Sequence, residues 1–325
     1  MERRAWPIEE KESLRWLEGY RLSSTVRQRC EATQIVSVAD SESDIYDILA
    51  EALPTTPKPG QADFIIRSKE NRCTTDRISP TEHASRNVMY RKVYDEVRES
   101  PLRYKKTINL SQTPKRRARQ AELEVRAMSV TLRHPKNRRD FQSVNCQIVH
   151  VKEINGPGDG TDIEWYLLTS LPVETFEDIE RVLNYYRARW TIEVYFRTLK
   201  TGCCVEKIKL ETTTRLKNCL AFYQIIAWRV LSLTYLNREC PALPCTTVFT
   251  DSEWQSVWQV TTKTALPDTP PSLSEFIRLL ASLGGYNNRK TEPPPGPQPI
   301  WVGIRRMCDF ALAWIAFGPP TKTYV

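Results

Sequence analysis

A chain of 325 residues with a formal net charge of +8 at pH 7 can bury one large core or two, and its charge suits a polyanionic partner. Its nine cysteines form no Cys-x-x-Cys pair and are joined by only three histidines, which argues against a zinc cluster. An odd cysteine count with no signal peptide points to packed thiols in a reducing cytosol, and no Gly-rich phosphate loop of the Walker or dinucleotide kind occurs.

Residues 1–34 are charged and helix-like, with Ile8, Leu14, Trp16, Leu17 and Leu22 as packing points. Ile35-Val-Ser-Val-Ala reads as a short strand ending at Asp40, followed by a helix predicted to begin near Ser43 or Asp44. An aspartate at the carboxyl end of a strand faces the crevice where α/β folds bind ligands, and it is equally a good helix cap. Leu53 to Gly60 is a loop by its proline and glycine content. Asp63 to Lys69 reads as a strand with Arg67 and Lys69 on one side, either a phosphate contact or a solvated edge.

Residues 71–120 are polar and carry no clear period, ending in the basic run Pro114-Lys-Arg-Arg-Ala-Arg, which fits phosphates or a solubilising loop. Leu123, Val125 and Ala127 alternate with polar residues, then the phase flips to Met128, Val130 and Leu132, which predicts a bulge or register change. Pro135-Lys-Asn-Arg-Arg is a second basic turn, and strands follow at Cys146 to Ile154 and at Trp165 to Ser170. An aromatic in such a strand, Trp165 here, is by itself a core residue.

Thr175 and Asp178 form a capping box that opens a helix, for which Gly202 offers a stop. At ~100° per residue, Tyr186, Arg189, Glu193 and Lys200 fall within roughly 60° of one another on that helix. Tyr185, Ile192, Phe196 and Leu199 make a neighbouring apolar stripe suited to a core. A carboxylate flanked by two cations and a phenol suits a divalent metal and phosphate oxygens, and it equally describes a solvated, salt-bridged helix face. Further helices are expected from about Leu216 to Leu236, around Trp254 and Trp258, over Ser272 to Leu283, and over Trp301 to Phe317, with a stiff proline loop from Thr291. Cys219 to Leu236 is apolar for about the length of a membrane span, but Gln224 and Arg229 would be costly there, so a buried core helix and no membrane contact are expected.

The Tyr-x2-Arg-x3-Glu-x6-Lys spacing resembles the YREK motif of bacterial insertion-sequence transposases of the DDE cut-and-paste type. Ile35 to Leu49, Asp63 to Lys69, Glu164 to Val173 and the Leu-Gly-Gly-Tyr segment at 283–286 resemble the Tn-five branch of that family in the same order. The resemblance implies an α/β, ribonuclease-H-like core over 1–204 with a β-rich insertion at about 56–170. A helical C-terminal domain over 205–325 would join two protomers. It implies Asp40 and Glu193 as the second and third acids of the DDE triad, holding two Mg²⁺ ions with Mn²⁺ as a substitute. It implies DNA contacts from Tyr186, Arg189, Lys200 and Arg67, and stacking of a flipped base on Trp165, with Trp190 as a second aromatic candidate. The implied partner is double-stranded DNA, transposon ends and target, in the nucleoid-associated bacterial cytoplasm.

The same resemblance calls for a first aspartate on an earlier strand and for a helical end-recognition domain before it. Asp40 is the first aspartate of this sequence, and none of Glu2, Glu9, Glu10, Glu12, Glu18 or Glu31 has a comparable strand-end context. The expectation is an N-terminally truncated core with little or no strand cleavage by this chain alone. The alternative is a non-enzymatic inhibitor that forms mixed dimers with an intact transposase. A metal-dependent nuclease and a general nucleic-acid-binding protein are the remaining readings.

Overall fold

The computed structural model describes residues 6–54, 56, 59–77, 89–110, 117–289 and 292–319. The chain divides into two compact units, Met1–Arg189 and Trp190–Val325.

The first unit is built on one mixed sheet. Its strands are β1 (Val36–Ala39), β2 (Asp63–Arg67), β3 (Cys73–Arg77), β4 (Tyr90–Lys92), β5 (Leu102–Leu110), β6 (Arg119–Leu132), β7 (Val144–Ile154) and β8 (Glu164–Thr169), in the spatial order β1-β2-β8-β7-β6-β3-β4, with β5 also paired to β6. Among the described residues only β1 and β2 run parallel, in the register Val36↔Asp63 to Ala39↔Ile66. A parallel pair needs a crossover, and α2 (Tyr46–Ala52) lies within it. Helices α1 (Leu14–Arg29) and α3 (Val93–Glu99) share α2's face of the sheet, over Phe64, Ile66, Leu132, Ile148 and Leu168. Helix α4 (Phe176–Ala188) packs Ile179, Val182 and Leu183 on the opposite face, over Ile65, Val125, Val149 and Leu167. The alternation of Phe64, Ile65 and Ile66 between the two layers is the two-residue period of a strand buried on both sides.

Several expectations are corrected here. A 3-10 turn at Ser41–Ser43 follows β1, and the α-helix starts only at Tyr46. Strand β2 ends at Arg67, so Lys69 lies in the loop beyond it and does not share its strand face. The phase flip near residue 127 is real, yet β6 pairs with β7 without a break from Glu122↔Ile154 to Leu132↔Val144. The buried side changes because Leu123, Val125 and Ala127 face the α4 layer while Val130 and Leu132 face the α1–α2 layer. The irregularity is in the β5–β6 ladder, which slips between Leu102 and Tyr104. The polar stretch after residue 71 supplies β3, β4, α3 and β5. In the first basic run, residues 114–116 lie outside the described residues, while Arg119 pairs with the buried Glu153.

The second unit is helical: α5 (Thr191–Arg197), a π-helical turn at Thr198–Gly202, α6 (Thr213–Glu239), α7 (Asp251–Thr262), α8 (Leu273–Leu283) and α9 (Pro297–Phe317). Its core gathers Val230, Leu233, Trp254, Val257, Phe276, Ile277, Leu280, Ile300, Ile304 and Met307. Capping boxes or hydroxyl caps at Thr212, Thr250 and Ser272 start α6, α7 and α8 by accepting orphan amides. Helices α8 and α9 cross so closely that a Cβ on Gly303 would lie 2.1 Å from the Leu280 carbonyl oxygen.

The expected single helix from Thr175 to Gly202 is divided into α4, α5 and the π turn, and of its apolar stripe Ile192 and Phe196 are exposed. The proline loop is shorter than expected, because Pro297 and Pro299 sit in the first turn of α9, where no intrahelical N–H bond is lost. Helix α6 is no buried core helix: Ala227, Val230, Leu233, Thr234 and Asn237 are buried, whereas Phe222, Ile225 and Trp228 are 70%, 63% and 62% exposed. By length and composition alone it could cross a membrane.

Candidate functional site

In the first unit the carboxyl end of β1 delivers Asp40 to the sheet's rim. Its Oδ1 accepts the Glu42 amide at 3.0 Å and caps the 3-10 turn. Its Oδ2 lies 3.9 Å from Arg189 Nη1, and the side chain keeps 38% of its surface exposed. Capping the turn and facing Arg189 are therefore compatible, since the two carboxylate oxygens point to different partners.

Arg189 closes the last turn of α4, its amide donating to the Tyr186 carbonyl at 3.2 Å. The Tyr186 ring is buried under the sheet and meets Trp165 edge-on, with centroids 5.2 Å apart at 69°. Trp165, half-buried in β8, projects to the α4 side because Glu164 and Tyr166 take the other face. Arg67, exposed at the end of β2, donates from Nη2 to the Glu164 carbonyl at 3.4 Å. A run Asp40, Arg189, Tyr186, Trp165 is thus connected within one unit, with Arg67 hydrogen-bonded to the residue beside Trp165.

The remaining sequence-predicted residues belong to the second unit. Trp190 precedes α5 and is 59% exposed. Glu193 lies in the first turn of α5, and its amide donates to the Trp190 carbonyl at 3.1 Å. Lys200, in the π turn, is exposed and 3.3 Å from Glu206.

Two sets of residues escaped the sequence reading. Asp44, with a side chain fully shut from solvent, accepts from the Lys69 and Glu70 amides at 2.6 and 2.9 Å and from Arg72 Nη1 at 2.5 Å. It fixes the loop that follows Arg67, and the only hint was a second aspartate four residues after Asp40. Behind Trp165, Glu164 accepts from Tyr166 at 2.8 Å and lies 3.1 Å from His150 Nε2 and 3.4 Å from Arg98. The rings of Tyr94, Tyr166 and His150 stack in series, with centroids 3.8 and 4.4 Å apart. Burial pulls the His150 pKa down against the opposing pull of Glu164. Burial also pushes Glu164 up, but the Tyr166 and His150 hydrogen bonds and Arg98 outweigh it and leave its carboxyl below the ordinary range.

The Asp40 carboxylate is the hard oxygen donor that Mg²⁺ prefers. Among the described residues, however, no three His, Cys, Asp or Glu side chains gather as a metal cage. The donor chemistry fits a divalent ion, while the number of ligands assembled does not complete its site.

A model described as "Transposase DDE domain" matches residues 58–228, more than half of the chain, and one described as "Transposase Tn5 dimerisation domain" matches 225–314. The chain belongs to the DDE transposase family. The transposase match takes in Arg67, Trp165, Tyr186, Arg189, Trp190, Glu193 and Lys200, and it starts after Asp40. Membership implies DNA as the partner and a divalent metal as the cofactor, and the second match suggests dimers.

Proposed function

We infer that this chain is a Tn-five-like DDE transposase of the YREK group, with a ribonuclease-H-like core, in which Asp40 and Glu193 are the second and third acids. The observation that carries the reading is the connected run of Asp40, Arg189, Tyr186 and Trp165 in a chain of this family. The substrate is duplex DNA at transposon ends and at the target, in the bacterial cytoplasm with the nucleoid. Two Mg²⁺ ions, or Mn²⁺ in their place, would supply activation of the attacking water or 3′ hydroxyl and charge relief on the departing 3′ oxygen.

The chain's own residues do the rest. The Arg189 guanidinium beside the strand-end carboxylate is placed to take a phosphate oxygen that Asp40 alone would repel. Tyr186 supports Trp165 from the side, leaving an indole on which an unstacked base can lie. Arg67 and Lys200 add backbone contacts that orient the strand, and Trp190 is a further stacking surface.

We further infer that these 325 residues do not cut DNA by themselves, since among the described residues no three carboxylate, imidazole or thiol side chains come together to hold a metal ion. The test is an N-terminal extension carrying the first-aspartate strand of an intact relative. Mg²⁺-dependent nicking of end DNA is expected from the extended protein, and Asp40→Ala or Glu193→Ala should each remove it. Nicking that survives either substitution overturns the assignment, and Glu193-dependent nicking by the unextended chain overturns the inactivity. The dimerisation-domain match favours a second reading, an inhibitor in mixed dimers. Co-purification with an intact relative, with reduced transposition, would support it.

A further inference from the structure

A cleft of about 840 Å³ opens in the first unit between the start of α1, the loop after β2 and the turn between β6 and β7. Its wall includes Glu42 and Asp44, two and four residues beyond Asp40, so it borders the candidate acid. The basic turn Pro135-Lys-Asn-Arg-Arg, which the proposed chemistry leaves unused, forms part of its rim.

The charges in the cleft sort into two groups. Asp44 is paired with Arg72, Asp47 with Arg138 at 3.1 Å, and Glu12 and Glu42 with Arg15 at 2.9 and 3.0 Å. Lys69, Lys92, Arg133 and Lys136 form no ion pair among the described residues. Three of these cations share one corner. Lys92 is the register partner of Cys73, whose carbonyl accepts the Arg133 amide at 2.9 Å, and Lys136 begins the turn three residues after Arg133. Four of the wall's six acids are paired internally; Glu10 and Glu70 form no ion pair among the described residues, and the four unpaired cations outnumber them.

The aromatic rings decide what kind of anion fits. Arg133 lies 4.0 Å over Tyr90, Arg138 3.9 Å over Phe141 and Arg15 5.4 Å over Trp16. Of the lining rings, Phe141 and Trp16 each have one face taken by a guanidinium and Tyr46 is buried, so Trp6, 38% exposed, is left as a platform and a single strand gains little stacking here. A phosphodiester backbone needs only cations without an acidic partner: Lys136, Lys92, whose Nζ also donates to the Asn71 carbonyl at 3.2 Å, and Arg133, which lies over Tyr90.

We propose that this cleft is a second DNA-binding surface, taking the backbone of duplex DNA that runs on past Asp40, with Lys92, Arg133 and Lys136 as its phosphate contacts. It rests on the reading of the chain as a DNA transposase and adds where the flanking duplex lies. The contact is independent of sequence, because Lys and Arg contacts to phosphate oxygens carry no base information.

The experiment is anisotropy of the full 325-residue chain with a labelled 30-base-pair duplex and with the same strand unpaired, across a salt series. The chain with Lys92→Ala, Arg133→Ala and Lys136→Ala together should bind the duplex about tenfold more weakly at ~0.1 M salt, with the log–log salt slope smaller by about 2–3. The charge-keeping set Lys92→Arg, Arg133→Lys and Lys136→Arg should restore both, which separates lost charge from lost fold. An unchanged slope in the alanine set, with Arg67→Ala still weakening binding, overturns the cleft and leaves the transposase reading standing. Tighter binding of the unpaired strand overturns the duplex assignment. No salt-dependent binding by the unaltered chain overturns both readings together.

Discussion

The Asp44 carboxylate, fully buried, holds Arg72 at 2.5 Å while also accepting two backbone amides of the loop that begins after Arg67. Removing it strands a largely buried guanidinium and two amides together. Asp44→Ala is therefore expected to cost ~3–5 kcal/mol of stability, read as a lower urea midpoint. Asp44→Asn keeps one acceptor and should lose less. Equal losses for the two would mean that the charge carries the whole contribution and the retained neutral acceptor none.

Trp165 touches Tyr186 edge-on and is half-buried, so part of its indole stays available. If a flipped base stacks there, Trp165→Ala lowers affinity for DNA with an unpaired base at the end by ~1–3 kcal/mol. Fully paired duplex should bind almost unchanged. The readout is 2-aminopurine quenching at the unpaired position, and a loss shared equally by both DNAs would show damage to the fold.

Acid should loosen the first unit in two steps. Burial depresses His150 below its ordinary 6.5, so its neutral form contributes stability that is complete above that value and is lost as pH falls through the folded value. Glu164, held below 4.5 by its donors, contributes stability above that value and loses it at still lower pH. Melting temperatures from pH 8 down to about 3 should fall first near the histidine range; His150→Phe should flatten that upper step and, by removing one donor to Glu164, shrink the lower one. A histidine raised by Glu164 would give the reverse slope.

Gly303 faces the Leu280 carbonyl where α8 and α9 cross, and an added Cβ would stand 2.1 Å from that oxygen. Gly303→Ala must push the helices apart and should cost ~1–3 kcal/mol. Thermal unfolding followed by far-ultraviolet dichroism would register it, and a melting temperature unchanged within a degree would mean the crossing relaxes freely.

The parts of this molecule that could be read from sequence were those governed by short-range rules. The capping box at Thr175, the strand ending at Asp40 and the alternation in β2 and β6 depend on neighbours a few residues away. The break of the long helix after Ala188, the exposure of Phe222 and Trp228 on α6, and the two-sided burial of β6 depend on what packs from elsewhere in the chain. Asp44 illustrates the same limit at the site. Its partners at 68–72 are about two dozen residues away, across a loop whose path no local pattern encodes.

Strand β6 gives its first half to one hydrophobic layer and its last residues to the other, while pairing with β7 from Glu122 to Leu132. It works as a shared beam: neither layer can melt without loosening the strand on which the other rests. The first unit should consequently unfold in one cooperative step, and amides in the middle of β6 should exchange with solvent only through global opening. A single peptide-bond cut inside that strand would bring down both layers at once, whereas one in the turn at 135–139 would leave both intact.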